Sequence, residues 1–168
     1  FPTIGMEVSL ETGYKNNVST EKGFAYVIPE FAIDHRLIAS GQLVLATKLR
    51  GHVNFGDDFE FYQGAALGAR TGLRGFRHER FTGKSAFVQT TDIRLNLRKM
   101  KTGLLPLNIG VFGGFDYGRV WISGDPSNKW NTSLGGGIWL NAADVLTANF
   151  SLFNSEDGMR FAFGLGFG

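Results

Sequence analysis

The sequence predicts an all-β fold, an eight-stranded antiparallel barrel in a single domain over residues 1–168. Three observations carry that expectation. Apolar and polar residues alternate with period two along most of the chain, and no segment shows the 3.6-residue stripe of a helix. Glycine and phenylalanine are abundant, 24 and 16 of 168 residues, against only 4 prolines. That balance argues against collagen and against disorder, and it suits a barrel. Short clusters of turn-forming residues also punctuate the alternation at strand-length intervals.

The first strand is expected near 3–14, where Ile4, Met6, Val8 and Leu10 alternate with Gly5, Glu7, Ser9 and Glu11. The second, near 24–38, contains Pro29, which cannot donate to a ladder and so belongs at an edge or a bulge. The third, near 43–55, sets Leu43, Leu45, Leu49 and Val53 against Ala46, Lys48, Arg50 and His52. Residues 56–84 then form a connection too long for a hairpin, and long ordered loops are usually functional. The fourth strand, near 85–98, opposes Phe87, Ile93 and Leu95 to Thr90, Asp92 and Arg94. The fifth, near 107–121, opposes Val111, Phe115 and Tyr117 to Gly110, Gly114 and Asp116. Three more follow, near 130–140, 145–154 and 159–167. The last carries Phe161, Phe163 and Leu165 on one face, and Arg160, Ala162 and Gly164 on the other.

Composition excludes several function classes. There is no cysteine, and the net charge of +2 comes from basic residues spread along the chain, so nothing points to nucleic acid. No apolar run approaches the ~18 residues of a transmembrane helix. His35, His52 and His78 are isolated, without metal-ligand spacing. No serine sits in a nucleophile elbow, and "GLGFG" precedes no helix that would make it a phosphate loop. Asp92 and Asp116 could form a catalytic carboxylate pair, but the basic residues sharing their face favour a structural ion network. No enzyme activity, metal or cofactor is expected.

Two all-β readings fit the alternation. A soluble lipocalin-like barrel puts its apolar face inside, and an outer-membrane barrel puts it outside. Four features favour the membrane. The strands are long enough to cross a bilayer when tilted, which takes about 9–11 residues. The apolar faces carry no charge except Arg119 at a strand end. The polar faces balance both signs, with Glu7, Glu30, Asp92 and Asp116 against Lys48, Arg50, Arg94 and Arg160. Trp121 and Trp130 flank one loop as an interfacial aromatic girdle would.

Linked motifs carry a more specific resemblance. "LRGF" (Leu73 to Phe76) lies in the long loop, "TDIRLNLR" (Thr91 to Arg98) in the strand after it, and "FGGFDYGRVW" (Phe112 to Trp121) in the next. In order and spacing, the chain resembles the C-terminal part of the barrel of the Omp85 superfamily, the bacterial surface antigen family. The resemblance implies an eight-stranded antiparallel transmembrane β-barrel with a long loop folded into the lumen. It implies a latch of Arg74, Gly75 and Phe76, with Arg74 meeting Asp92 and Asp116. Strand parity independently puts both aspartates on the lumen side, where a confined guanidinium needs anionic partners. Phe76 is expected to pack on the inner wall near Gly110 or Gly114.

The family's barrel usually has sixteen strands, preceded by periplasmic domains. Eight strands imply either half of a barrel or a reduced barrel closed by pairing the first strand with the last. Closure is expected, because exposed edges invite aggregation. The lumen polar network is expected at Glu7, Glu30, Lys48, Arg50 and Arg94. The lipid-facing residues are expected to include Leu43, Leu45, Leu49, Phe161, Phe163 and Leu165. Localisation in the bacterial outer membrane follows, with outer-membrane lipid and nascent outer-membrane proteins as partners. A homo-oligomer is compatible with the pattern but not readable from it. The function implied is outer-membrane protein insertion or translocation. A barrel anchoring an absent soluble domain, or a soluble ligand-binding barrel, are the alternatives.

Overall fold

Strict alternation leaves a chain one economical way to separate its two kinds of side chain, an extended strand with each kind on its own face. The computed structural model describes residues 3–17, 22–56, 61–101, 106–122, 124, 128–142 and 145–167. Its strands are β1 (Gly5–Asn17), β2 (Lys22–Arg36), β3 (Leu43–Phe55), β4 (Ala65–Leu67), β5 (Phe81–Gly83), β6 (Ser85–Lys101), β7 (Pro106–Trp121), β8 (Asn131–Ala142), β9 (Leu146–Ser155) and β10 (Gly158–Phe167). Eight of them form one antiparallel sheet in the order β1-β2-β3-β6-β7-β8-β9-β10. The short β4 and β5 pair separately, inside the long loop.

The strand ends differ from the sequence expectation in instructive ways. β1 continues past residue 14 to Asn17 and β2 begins at Lys22, because Lys15, Asn16 and Asn17 pair with Phe24, Gly23 and Lys22. A backbone ladder forms there whatever the polarity of the side chains. β2 stops at Arg36 rather than 38, because Leu37 N–H donates to the Leu43 carbonyl at 2.9 Å and closes the turn. Pro29 stays inside β2. It pairs with Leu10 of β1, but Ile28 and Pro29 have no partner in the β2–β3 ladder, which resumes unchanged at Glu30↔Arg50. Proline is tolerated there because the bonds it cannot make are missing on one side only.

The two faces of the sheet are chemically distinct. Ile93, Phe115, Leu134, Leu152, Phe161 and Phe163 are exposed on one. The other carries Glu30, Lys48, Asp92, Arg94 and Asp116, and the long loop lies on it. Side chains from β6, β7 and β9 converge there on one guanidinium, although β6 and β9 are three strand spacings, about 14 Å, apart. The loop-bearing face is therefore concave. β1 and β10 are the two edges, and among the described residues no ladder joins them. The closure expected from an even strand count is thus not part of this hydrogen-bonded sheet.

Candidate functional site

The loop between β3 and β6 folds on itself before it meets the sheet. A 3-10 turn at Phe61–Gln63 leads into the β4–β5 hairpin. Within it the Gly68 carbonyl accepts from Leu73 N–H at 2.9 Å and from Thr71 Oγ1 at 3.1 Å, and Gly68 N–H donates to Thr71 Oγ1 at 2.8 Å. Gly72 adopts φ +125°, a conformation that side-chain-bearing residues rarely reach. Ala65, Leu67, Leu73 and Phe76 pack with Ala86 and Val88 of β6 into a buried apolar cluster, closed by Phe81 and Val120. Phe76 meets Phe81 edge to face with ring centres 5.3 Å apart. It does not rest at Gly110 or Gly114. The Trp139 ring lies against Gly110, and the Arg74 side chain occupies the space above Gly114. The apolar pocket that takes Phe76 is made largely by the loop itself, which strand periodicity does not reveal.

The packing aims Arg74 at two aspartates. Its Nη2 donates to Asp92 Oδ1 and to Asp116 Oδ1, each at 2.6 Å. Its Nε donates to both oxygens of Asp116 at 3.1 Å, and its backbone N–H to Asp116 Oδ2 at 3.0 Å. Ser133 Oγ on β8 donates to the same Oδ2 at 2.8 Å. Asp116 is fully buried. Its charge is tolerable because donors converge on it and a cation lies against it. Burial works against the Arg74 cation, yet the bonds to Asp116 and Asp92 outweigh it and hold its pKa above the ordinary arginine value. The latch therefore has no titration on its cationic side at any accessible pH.

The strand register explains how the pocket is shaped. Asp92, Gly114, Gly135, Phe153 and Arg160 occupy one row across β6 to β10. The two glycines leave a trough, and the Phe153 ring lies 4.1 Å from the guanidinium carbon, a cation–π contact. The adjacent row runs Lys48, Thr90, Asp116 and Ser133, and Ser155 at the end of β9 lies close to its last member across Gly75. Gly75 sits on that row so closely that a Cβ would lie 2.6 Å from Ser133 Cβ and 2.9 Å from Ser155 Cβ. Its carbonyl accepts from Ser155 Oγ at 2.7 Å. At the loop's far end Arg80 pairs with Asp157 in the β9–β10 turn at 2.7 Å, which raises the arginine's pKa through that hydrogen bond.

Beyond the latch, the structure joins Glu30 to Lys48 at 2.6 Å and to Arg50 at 2.7 Å. Arg94 links Asp34, at 3.2 Å, with Asp92, at 3.6 Å. Glu7 stands apart from this network, exposed on edge strand β1. A cleft of about 590 Å³ opens between the loop and β2, β3 and β6, lined in part by Glu30, Lys48, Arg50, Arg70 and Glu79. On the opposite face Leu43, Leu45 and Leu49 are half-buried, and Phe161, Phe163 and Leu165 are exposed. Among the described residues no three His, Asp or Glu side chains gather as a metal site would need.

Sequence reasoning missed Ser133, Ser155, Phe153 and Asp157. The one available signal was Phe153, an aromatic of polar-face parity with glycines at the matching positions of β7 and β8.

Gly114 makes the geometry testable. A Cβ there would lie 2.5 Å from Arg74 Nη2, 2.6 Å from Asp92 Oδ1 and 3.0 Å from Phe153 Cζ, whereas at Gly113 it would meet nothing within 4 Å. Gly114→Ala is expected to cost about 1–3 kcal/mol by overpacking, while Gly113→Ala leaves the loop seated. Urea unfolding of both variants in detergent, with hydrogen exchange across residues 61–83, checks this. Equal effects at the two positions would contradict it.

Comparison of the chain with protein-family models, curated proteins and solved structures finds no match.

Proposed function

We propose that this chain forms wall of an outer-membrane β-barrel of the Omp85 class and acts in inserting or translocating proteins at that membrane. The observation that carries the reading is the latch. The arginine of "LRGF" is held by aspartates on the next two strands of a sheet whose other face is apolar. A soluble ligand-binding barrel would bury that apolar face and solvate the charges. Here the charged face carries the folded loop, and large hydrophobic side chains stand exposed on the other. Isolated exposed apolar residues need no explanation, but a continuous apolar sheet face does.

On this reading the strands span the bilayer, where each backbone polar group must find a partner within the protein. Leu43, Leu45, Leu49, Phe161, Phe163 and Leu165 contact lipid. The 56–84 and 122–130 connections, the two longest, share one end of the sheet, which this reading places on the outer side. The latched loop stiffens the middle of the wall, β6 to β9. Any strand exchange with a client is left to the unlatched edges.

The functional experiment reconstitutes the 168-residue chain in lipid vesicles and measures how fast an unfolded outer-membrane protein inserts. Acceleration over protein-free vesicles is expected. A membrane-inserted chain that gives none would favour the anchor instead. The membrane assignment has its own check. Leu45→Arg is expected to cost about 2–4 kcal/mol if the residue lies near the midplane, measured by urea unfolding from vesicles. Full solubility and monomeric behaviour without detergent would reject the membrane reading.

A further inference from the structure

We infer that the apolar face of β6 and β7 holds a site for one phosphorylated membrane lipid of the outer leaflet. Its phosphate lies at Arg119, and the carbonyl of an acyl linkage lies at Gln89. The inference rests on the membrane reading and adds a ligand to it, with the residues that take that ligand.

On this face a cation and a carboxamide stand one below the other. Arg119 lies near the end of β7, beside the 122–130 connection, and shares its face with Tyr117 and Trp121. Its guanidinium carbon is 5.0 Å from the centre of the Trp121 ring, and its Nη2 donates to Asn128 Oδ1 at 2.7 Å. Around it Trp130 packs against Tyr117, Trp121 and Phe87, with ring centres 5.1, 6.2 and 6.2 Å apart. An aromatic belt needs no ligand, since such rings settle at headgroup depth by themselves. A guanidinium held within the belt is different. Its planar fork matches a phosphate, and its charge favours an anionic headgroup.

Gln89 stands directly opposite Tyr117, and Thr91 opposite both Phe115 and Thr47. Gln89 Nε2 donates to Thr91 Oγ1 at 3.2 Å, and the Thr91 and Thr47 hydroxyls lie 3.4 Å apart. The threonines thus serve each other. The bond to Thr91 is the only one the Gln89 amide makes among the described residues, and the side chain is half-buried. Its second N–H is left for an acceptor that the hydrocarbon itself does not offer. Two residues along a strand tilted by 35–45° lower Gln89 about 5 Å beneath Arg119. A phospholipid presents its groups in the same order, with the phosphate outermost, the linkage carbonyls beneath it and hydrocarbon below. A membrane-spanning partner protein has its backbone carbonyls already paired and answers neither group.

Trp121 and Trp130 report this site by fluorescence, while the third tryptophan, Trp139, is buried and adds a constant background. The 168-residue chain is folded in vesicles containing brominated phosphatidylcholine, which quenches the tryptophans it touches. Unbrominated lipids are then added at matched fractions, and the relief of quenching ranks their affinities. Phosphatidylglycerol is expected to compete about fivefold better than phosphatidylcholine, the effect of one cation at headgroup depth. Arg119→Gln should bring that ratio to about one, and Arg119→Lys should keep most of it. Diester phosphatidylglycerol should also outcompete its diether analogue, which lacks the linkage carbonyls, by about twofold or more. Gln89→Leu should remove this second preference and keep the first, and Arg119→Gln should do the reverse. Quenching without either preference, or preferences that survive both substitutions, would overturn the lipid site and keep the membrane reading. Quenching that weakens as the protein-to-lipid ratio rises would give the face to a second copy of the chain instead. Tryptophans that no brominated lipid quenches would reject the membrane reading, and the site with it.

Discussion

Replacing Arg74 with alanine is expected to destabilise the protein by about 3–5 kcal/mol, the cost of leaving a buried charge without its partner. The variant strips Asp116 of the two donors of the Arg74 side chain and leaves it, fully buried, near Asp92 with no cation between them. Arg74→Lys should recover only part of the loss, because an ammonium keeps the charge but lacks the fork that serves two carboxylates. Adding Asp116→Asn to Arg74→Ala should restore stability, since the amide needs no counter-ion and can still accept from Ser133. The cycle should give an interaction energy of about 0.5–3 kcal/mol. Urea unfolding in detergent micelles measures all four corners. Additive effects would show that Arg74 and Asp116 act independently, and the latch would lose its physical basis.

Phe76→Ala is expected to have a comparable effect by a different route. Phe76 is fully buried and has no polar group, so its removal leaves a cavity between the hairpin and β6, at about 3–5 kcal/mol. The loss should be local. The cluster joins the loop to the sheet, while the sheet keeps its ladders. Hydrogen exchange across residues 61–83 should quicken by about a hundredfold or more, and exchange in β7 and β8 should change little. Phe76→Leu should recover much of the protection by refilling the cavity. Exchange that rises equally in loop and sheet would mean that the loop has no separate docking equilibrium.

The chemistry of the two faces was legible residue by residue. Leu43, Leu45 and Leu49 alternate with Val44, Ala46, Lys48 and Arg50, and a period of two admits only a strand with those two faces. All eight strands of the main sheet were placed by the same logic, with ends displaced by a few residues where turns close early or ladders run on. The polar-face parity of Asp92 and Asp116 was equally readable, because each lies within an unbroken alternation. Inside residues 56–84 the period disappears, and with it the signal. The β4–β5 hairpin and the pocket for Phe76 depend on contacts among residues that no repeat relates.

By itself, then, the sequence determined the strands, their faces and the residues able to meet across them, because these follow from local alternation. Tertiary structure decided the rest. Register placed Gly114, Gly135 and Phe153 in the row that shapes the guanidinium's seat, and it brought Ser133 and Ser155 to the loop. It also left β1 and β10 as edges. How the loop seats depends on all the rows of the concave face together. That is a property of the assembled volume, to which each strand contributes and which none encodes alone.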